Sequence, residues 1–551
     1  MKPLIPASEQ PPLPQGRFII QAETDEEAVP LDVLFVGGGP AGLAGAIRLA
    51  QLAARDRAEG GPLADIEIGV LEKSGELGEH CLSGAVVNPE AFRTLFPHVD
   101  EAGFPFQGPV PRDRVLLLTE RGRVRLPTPP TMRNHGHYVA SICEIVRWLG
   151  VRAEGLGVNV FTGFPADALL ARDGQVMGVR TTPAGLDRDG TPGGGFMPAT
   201  DLSARVTVLA EGTRGPLSQA WLEREGVGGS NPQIFALGVK ELWKVPNPLR
   251  AVTHTLGWPL PRDAFGGSFI YPMGEGLVAL GLVVGLDAPY VDLDVHALLQ
   301  QLKQHPLVRE ILAGGELAEW GAKTIPEGGY YAIPDRLSGD GLLITGDAAG
   351  LVDVASLKGI HYAMRSGILA AEAIGRALAA GDVSGARLSS YDAALRESLV
   401  RDPLYRNRNQ RLAFKSGFLA GGIKAGIMQA TGGTFPGTRI ASRPDAAEPR
   451  ATTLGLEAAY GGERSVAKVD AVFRSGNATR DDIPSHLTVG DDVSPEMADL
   501  YASLCPAGVY ERDGDQLVVN APNCIDCKAT DVLGPRWAPR EGGSGPAYKR
   551  M

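Results

Sequence analysis

Apolar residues occur along this chain in short runs that end in turns rich in glycine and other small residues. Three such runs cover residues 32–36, 206–210 and 341–345. A short apolar run bounded by turn residues is typical of a strand buried in a parallel sheet. The pattern predicts three buried strands, with a helix from Pro40 to about Ala54 after the first and a helix from about Gly359 to Leu378 after the third.

The turn after the first run contains Gly37, Gly39 and Gly42 in the spacing G-x-G-x-x-G. Between a strand and a helix, the first glycine makes the turn, the second lets the backbone approach a pyrophosphate and the third lets the helix pack on the strand. The phosphate then lies at the helix N-terminus, whose unpaired N–H groups favour an anion. This arrangement predicts a dinucleotide-binding fold, the alternative being an ordinary turn.

A second predicted strand, residues 66–71, ends in Glu72, which is placed to accept hydrogen bonds from the ribose hydroxyls of an adenosine. Glu72 follows Gly42 at more than the usual spacing of about 20 residues. We interpret the polar stretch from Arg55 to Pro62 as an inserted loop that accounts for the excess.

The third apolar run ends in Gly346 and Asp347, before another glycine-rich turn. This segment resembles the flavin-side motif of FAD hydroxylases and reductases. In that motif the aspartate binds the ribityl chain, and the following helix, here starting near Gly359, points its N-terminus at the isoalloxazine. Asp347 could alternatively be a simple helix cap. The three motifs in this order predict FAD bound by a discontinuous domain, with a second domain inserted over the flavin.

Length and composition indicate a multidomain enzyme that is soluble or peripheral to a membrane. The 551 residues exceed the roughly 250 to 300 at which one core stops growing, and 44% are hydrophobic and 21% charged. A net charge of -11 without a long basic run gives no support for nucleic-acid binding. Met1 to Arg17 lacks signal-peptide and presequence patterns, and no apolar run reaches the ~18 residues of a spanning helix. We therefore expect a bacterial protein.

Five cysteines are too few for a disulfide framework, and three of them lie close together near the end of the chain. Cys524 and Cys527 form a Cys-x-x-Cys pair, and Cys505 is followed by proline. Thiolates in such tight loops ligate iron–sulfur clusters in ferredoxin-like modules, although three cysteines would equally suit zinc. The tail therefore predicts a metal or cluster site in a reducing compartment. Cys81 and Cys143 are interpreted as ordinary buried thiols.

Blocks distributed over nearly the whole chain resemble the electron transfer flavoprotein-ubiquinone oxidoreductase family. They are residues 82–85, 134–136, 238–243, 254–255, 257–260, 266–269, 279–287, 366–372 and 541–548. The resemblance implies a monotopic respiratory enzyme, an electron-transferring-flavoprotein dehydrogenase, with FAD, quinone and four-iron cluster domains. It also implies that reduced electron transfer flavoprotein supplies the electrons and that a membrane quinone is reduced to quinol.

The resemblance also implies roles for individual residues. Ser83 and Gly84 would contact FAD, Gly266 and Gly267 would contact the quinone head group, and Cys505, Cys524 and Cys527 would ligate the cluster. Paired glycines let a backbone approach a flat ring closely. Without the resemblance, a tight bend in a strand is the alternative interpretation of Gly266 and Gly267.

The chain departs from the family at Thr530, where the family has a further cluster cysteine. Three thiolates remain, and several outcomes are open. An oxygen ligand could come from Thr530, from Asp531 or from water; a three-iron cluster could form; or the module could be empty. We expect an iron–sulfur cluster, with four irons as the family form.

Residues 411–428 mix apolar side chains with three cations, Arg411, Lys415 and Lys424. An apolar segment too short to span a bilayer favours insertion into one leaflet, with the cations reaching the head groups. Four glycines lower the helix propensity of this segment. A packed core helix is therefore the alternative. Because a quinone resides in the bilayer, we expect monotopic association at the cytoplasmic face of a bacterial inner membrane.

The expected fold is α/β with an α+β part. It combines a Rossmann-like two-dinucleotide fold of the glutathione-reductase or hydroxylase type, an inserted quinone-binding domain and a C-terminal ferredoxin-like module. The expected divisions are a tail at 1–28, FAD-binding parts at 29–215 and 335–385, the inserted domain at 216–334, a membrane-associating helix and linker at 386–480 and the iron–sulfur module at 481–551.

Two rival functions share parts of this sequence pattern. One is an NAD(P)H-dependent flavin monooxygenase or geranylgeranyl-reductase-like enzyme, which uses the same FAD scaffold but has no use for a cysteine module. The other is a docking protein whose tail binds zinc or nothing. Reduction of the flavin by NADPH would favour the first rival, and metal content would separate the second.

Overall fold

The computed structural model describes residues 3–456, 461–462 and 464–551. In its first sheet, of nine strands, Val29–Val36 runs parallel to Ile68–Glu72 on one side and to Asp201–Leu209 on the other. Leu342–Ile344 pairs in parallel with Asp201–Leu209. The other strands are Ile19–Gln21, Ala166–Arg172, Gln175–Thr181, Asn159–Thr162 and Ser338–Gly339. The three apolar runs of the sequence therefore become parallel strands of one sheet.

Helix Pro40–Glu59 follows the glycine turn and packs against helix Ile360–Ala379. It ends at Gly60, whose φ is 72°. The expected inserted loop is therefore wrong over residues 55–59, which form the last helical turns. Their polar composition reflects exposure to solvent, since most of these residues lie on the surface of the helix.

A second sheet of seven strands faces the site described below. Its order is Glu316–Pro326, Phe235–Lys244, Leu277–Gly285, Gly266–Pro272, Val252–Gly257, Asp113–Leu118 and Arg123–Leu126. Neighbours are antiparallel except the parallel pair Val252–Gly257 and Asp113–Leu118. The last two strands come from within residues 29–215, so the chain contributes to the second sheet in two separate passes.

The C-terminal module consists of short elements that pack on both sheets. They are helices Lys468–Arg474, Pro495–Leu504 and Ala529–Leu533 and the strand pairs Tyr510–Asp513 with Gln516–Val519 and Leu487–Thr488 with Arg536–Trp537. Tyr501 of the module shares a hydrophobic core with Trp320 of the second sheet. Met551 packs in the core of the first sheet, where its carbonyl oxygen accepts a hydrogen bond from Ser141 Oγ at 3.2 Å. The module is thus fixed to the rest of the fold, and the predicted fold class is confirmed.

The remaining elements surround these layers. The helices are Gln15–Phe18, Glu90–Leu95, Ile142–Gly155, Pro216–Arg224, Val295–Leu302, Pro306–Ile311, Gly385–Leu388, Ser390–Leu395, Arg396–Leu404, Gln410–Ala413 and Phe418–Ala430. Two small sheets are formed by Ala184–Leu186 with Pro192–Met197, and by Val86–Val87, Tyr138–Val139 and Gly108–Pro109. No helix in the described part of the chain has both the length and the apolar character needed to cross a bilayer.

Candidate functional site

A cavity of about 920 Å³ lies between the two sheets. This volume is near the upper end of the range of roughly 300–1,000 Å³ for ligand sites. The cavity is lined by all the residues predicted to bind FAD or quinone except Gly42, namely Gly37, Gly39, Glu72, Ser83, Gly84, Gly266, Gly267, Gly346, Asp347 and Gly359. The fold therefore brings segments from five parts of the sequence to one site, and their roles in binding stay predictions.

The three glycines of the first turn meet different surroundings. A Cβ atom on Gly37, whose φ is +114°, would lie 2.3 Å from the carbonyl oxygen of Ala210, and one on Gly42 would lie 2.1 Å from that of Gly37. A Cβ atom on Gly39 would meet nothing within 4 Å. Gly39 is the N-cap of helix Pro40–Glu59, so open space lies in front of a helix N-terminus. This geometry fits the pyrophosphate of a dinucleotide.

Glu72 ends its strand at the cavity wall, where its carboxylate also holds the glycine turn. Oε2 accepts a hydrogen bond from Gly38 N at 2.9 Å, and Oε1 accepts one from Ser74 N at 2.9 Å. These two backbone hydrogen bonds already explain the position of the carboxylate. A contact between Glu72 and a ribose therefore stays a prediction.

Asp347 also lines the cavity, three residues after the end of strand Leu342–Ile344. Burial raises the pKa of Asp347 to about 6, while a hydrogen bond with Thr213 acts in the other direction. Helix Ile360–Ala379 begins just beyond, and its first residues, Gly359 and Ile360, line the cavity. A second helix N-terminus therefore faces the same space, as expected for the flavin end of an FAD site.

Gly266 and Gly267 start the strand Gly266–Pro272 and line the cavity. A Cβ atom on Gly266 would lie 2.1 Å from the carbonyl oxygen of Val283, and one on Gly267 would lie 2.7 Å from that of Thr255. Close packing against neighbouring strands thus requires glycine at both positions. This packing accounts for the two glycines without a ligand, and contact with a quinone stays a prediction.

A buried pair on the cavity wall was missed by the sequence reasoning. His254 Nε2 and the hydroxyl of Tyr271 are hydrogen-bonded at 2.5 Å, and both residues line the cavity. Burial lowers the pKa of His254 to about 4, so its imidazole is neutral at pH 7. The two residues lie 17 positions apart on separate strands, so the sequence alone gave no signal for the pair.

Lys358 is a second group that the sequence reasoning missed. Its Nζ donates a hydrogen bond to Asn134 Oδ1 at 2.8 Å, and its side chain lines the cavity. Burial lowers the pKa of Lys358 to about 8. The cavity therefore contains a lysine that can change its protonation state near physiological pH.

The three clustered cysteines line one small pocket in the C-terminal module, together with Thr530 and Tyr510. Asp526 and Lys528, inside and just after the Cys-x-x-Cys pair, have positive φ values of 54° and 63°, which closes the loop tightly. Burial raises the pKa of the Cys524 thiol to about 12. Such thiols become thiolates when they ligate a metal, so the pocket suits an iron–sulfur cluster or another thiophilic metal site.

Two carboxylates near this pocket are already engaged. Asp531 accepts a hydrogen bond from Trp537 N at 2.9 Å and pairs with Arg214 Nε. Asp526 Oδ1 accepts from Arg540 Nη2 at 3.1 Å, and Oδ2 pairs with Lys73. Coordination of a metal by either carboxylate would therefore compete with a buried ion pair.

His486 is buried in the same module and is a further potential ligand. One of its ring nitrogens, Cys524 Sγ and a carboxylate oxygen of Asp526 lie within 4.8 Å of one another. Neither ring nitrogen has a hydrogen-bond partner among the residues that the structure describes. The sequence gave no reason to select His486, because it lies 38 residues before Cys524.

The helix Phe418–Ala430 carries exposed apolar side chains at the mouth of the large cavity. Leu419 is 71% exposed and Ile423 is 68% exposed, and both also line the cavity. Lys424 is exposed and donates to Ser416 Oγ at 2.8 Å. The cavity thus opens at an apolar surface of the molecule.

The expectation that Arg411 reaches membrane head groups is wrong. Arg411 is buried, and its guanidinium pairs at 2.7 Å with both Asp287 Oδ1 and Glu327 Oε2. Lys415 pairs with Glu448 Oε1 at 2.7 Å. Arg411 therefore anchors the short helix Gln410–Ala413 to the residues that follow two strands of the second sheet, and its charge is neutralised inside the protein.

The large cavity and the cysteine pocket share a wall. Lys528 and Trp537 line both spaces. Cys81 lines only the large cavity, and Cys143 is buried next to it with Sγ donating to the Cys81 carbonyl oxygen at 3.1 Å. Two dinucleotide-type helix N-termini, one large cavity and an adjoining thiol pocket define an FAD-dependent oxidoreductase with an iron–sulfur module.

Comparison with known proteins gives the family. A family model described as ETF-QO, ubiquinone-binding, matches residues 235–325, and one described as electron transfer flavoprotein-ubiquinone oxidoreductase, 4Fe-4S, matches residues 462–549. The chain is 38% identical to the human mitochondrial electron transfer flavoprotein-ubiquinone oxidoreductase, over 94% of this chain and 89% of that protein. It is 39% identical to the protein of that name from Oryza sativa subsp. japonica, over 95% and 94%. The chain belongs to the electron transfer flavoprotein-ubiquinone oxidoreductase family.

Solved structures share the fold at low sequence identity. A geranylgeranyl bacteriochlorophyll reductase-like protein from Thermoplasma acidophilum is 19% identical with a TM-score of 0.57, over 78% of this chain and 95% of that one. A myxobacterial chondrochloren halogenase, described as a variant of FAD-dependent halogenases, is 20% identical with a TM-score of 0.50, over 74% and 92%. These similarities concern the fold alone.

Proposed function

We propose that this protein takes electrons from reduced electron transfer flavoprotein and reduces a membrane quinone to quinol. The observation that carries the proposal is the extent of one cavity, which runs from Gly37 and Gly39 at the dinucleotide turn to Leu419 and Ile423 on an exposed apolar helix. A lipophilic acceptor could therefore move from a bilayer to the flavin side without crossing water. A soluble substrate has no need of an apolar opening.

The residues of the first sheet would hold FAD in this cavity. The open backbone at Gly39 and the helix behind it would bind the pyrophosphate, and Asp347 with the N-terminus of Ile360–Ala379 would orient the flavin end. When bound, FAD supplies one- and two-electron chemistry and an iron–sulfur cluster supplies one-electron chemistry. The shared wall of Lys528 and Trp537 keeps the two sites adjacent.

The second sheet would position the quinone. Backbone at Gly266 and Gly267 lets a flat ring approach, and Phe265 and Phe269 give the cavity apolar walls. Reduction of a quinone to quinol takes up two protons. The hydrogen-bonded pair of His254 and Tyr271 can hold a proton at the cavity wall, and Lys358, with its pKa near 8, is a second proton donor there.

The membrane contact would be made by helix Phe418–Ala430. Its exposed leucine and isoleucine side chains would enter one leaflet, and Lys424 would lie at the head groups. We propose the cytoplasmic face of a bacterial inner membrane as the location. The five cysteines are unpaired, which supports a reducing compartment.

Donor specificity tests this function against the flavin monooxygenase or reductase alternative. The flavin absorbance of the purified protein is followed anaerobically after addition of reduced electron transfer flavoprotein or of NADPH. The proposal predicts rapid bleaching by the flavoprotein and none by NADPH at the same electron equivalents. Bleaching by NADPH alone would contradict it and support the alternative.

A further inference from the structure

We propose that the iron–sulfur cluster of this protein has three thiolate ligands and a fourth corner at Thr530, so that one iron is released on mild oxidation. The inference rests on the proposed cluster in the cysteine pocket, and it concerns which residues of this chain hold each corner. A four-iron cluster ordinarily takes four cysteine thiolates from the protein.

The chain cannot supply a fourth thiolate at this pocket. Cys505, Cys524 and Cys527 line it, whereas Cys81 faces the large cavity and Cys143 is buried beside Cys81. The sequence contains five cysteines in all, so no others remain. The fourth ligand must therefore be a different kind of side chain or a solvent molecule.

Thr530 is the side chain placed for that corner. It lines the same pocket as the three cysteines and lies three residues after Cys527, at the start of helix Ala529–Leu533. Its neighbour Asp531 is engaged by Arg214 and by Trp537 N. Asp526 is engaged by Lys73 and Arg540. Coordination by either carboxylate would compete with these partners, which favours the hydroxyl of Thr530.

His486 and Tyr510 are the remaining competitors, and Tyr510 lines the same pocket as the three cysteines. His486 approaches Cys524 and Asp526, yet it is not among the residues that line the pocket in the described part of the chain. Thr530 does line it, which favours Thr530 over His486. A neutral hydroxyl, or water held by it, is a weaker ligand for iron than a thiolate, because soft sulfur matches iron in clusters.

The chemical consequence is loss of the iron at the oxygen corner. A [4Fe–4S]2+ cluster gives up Fe2+ and one electron to become [3Fe–4S]+, so charge and electrons balance. Ferricyanide is the added oxidant that takes the electron. Bonds break between the departing iron and the cluster sulfides and between that iron and its oxygen ligand, while the three iron–cysteine bonds stay.

The test measures iron and sulfide per polypeptide and low-temperature EPR before and after a small excess of ferricyanide, on protein purified anaerobically. We expect the parent to fall from about four irons to about three and to gain a signal in the oxidised state. The variant Thr530→Cys should keep about four irons and give a signal only after reduction. Thr488→Cys, an exposed position of the same module, is the matched control and should behave as the parent.

Two results would overturn the inference. The first is a parent protein that keeps all its iron through oxidation, as Thr530→Cys is expected to do. The second is a parent that retains its iron and loses that retention in His486→Ala or in Tyr510→Phe, which would make the substituted residue the ligand. Protein without iron in every variant would refute the cluster itself as well. Failure of quinone reduction with the expected iron behaviour would count against the proposed function alone.

Discussion

The ammonium group of Lys528 lies 4.3 Å from the centroid of the Trp537 ring, and both side chains line the large cavity as well as the cysteine pocket. Trp537 Nε1 also donates a hydrogen bond to Asp526 Oδ1 at 3.1 Å. The indole therefore connects the loop that carries two cysteines to the wall of the proposed flavin site. Lys528 and Trp537 therefore separate the proposed flavin site from the cysteine pocket.

Removing the indole of Trp537 should destabilise the cysteine module more than the flavin site. Trp537→Ala is expected to cost about 3–5 kcal/mol of unfolding free energy, as for other large buried aromatics. Trp537→Phe keeps a ring for the neighbouring lysines but loses the hydrogen bond, so about 1 kcal/mol is expected. Thermal unfolding and the ratio of iron to flavin measure both effects. An alanine variant with the iron content and melting temperature of the parent would refute this role.

The first turn offers a pair of alanine substitutions with opposite expectations. Gly39→Ala adds a methyl group to open space at a backbone φ of -81°, so the apoprotein should fold normally while flavin binding falls. Gly42→Ala places a methyl group 2.1 Å from the carbonyl oxygen of Gly37 and should destabilise the fold by about 1–3 kcal/mol. Flavin absorbance per polypeptide and unfolding of the apoproteins check this. Full flavin content in Gly39→Ala would count against the pyrophosphate site.

The exposed apolar helix predicts a membrane phenotype. Replacing Leu419 and Ile423 by lysine should remove on the order of 3 kcal/mol of membrane binding, roughly a hundredfold in affinity. Flotation with phospholipid vesicles measures it. Val151→Lys is the control, because Val151 is 67% exposed on helix Ile142–Gly155, away from the cavity. Equal flotation of the double variant and the control would refute this helix as the membrane contact.

The buried histidine of the cavity wall predicts a pH dependence of stability. Burial lowers the pKa of His254 from 6.5 to about 4, so the unfolded chain binds more protons than the folded one as the pH falls below 6.5. Stability is therefore lost with falling pH, by about 2 kcal/mol between pH 7 and pH 5 for this group. His254→Gln should lose about that much less over the same range. His98→Gln, at an exposed position, controls for the substitution itself. Identical pH slopes for His254→Gln and the parent would refute the assignment.

Features that depend on a short stretch of the chain could be predicted from the sequence. The runs before Gly37 and Gly346 are apolar because their strands are buried, and Gly42 is required because a Cβ atom there would collide with the carbonyl oxygen of Gly37 in the same turn. The three clustered cysteines were found because sulfur ligands at short spacing have few other uses.

Long-range pairing could not be predicted in the same way. Arg411 looked like a membrane-surface cation because its neighbours are apolar, whereas its partners Glu327 and Asp287 lie 84 and 124 residues away in the sequence. His254 and Tyr271 gave no signal as a pair, since their contact exists only once their antiparallel strands are in register. The polar residues 55–59 looked like a loop because solvent-facing helical turns and loops share a composition.

Quinol formation in vesicles tests the central claim most directly. Phospholipid vesicles that contain ubiquinone are mixed anaerobically with the protein and reduced electron transfer flavoprotein, and quinol is quantified by extraction. The account predicts about one quinol for every two electrons supplied, with turnover that depends on both the flavoprotein and the protein. Oxidation of the flavoprotein without quinol, or quinol formed equally well with NADPH as the donor, would contradict it.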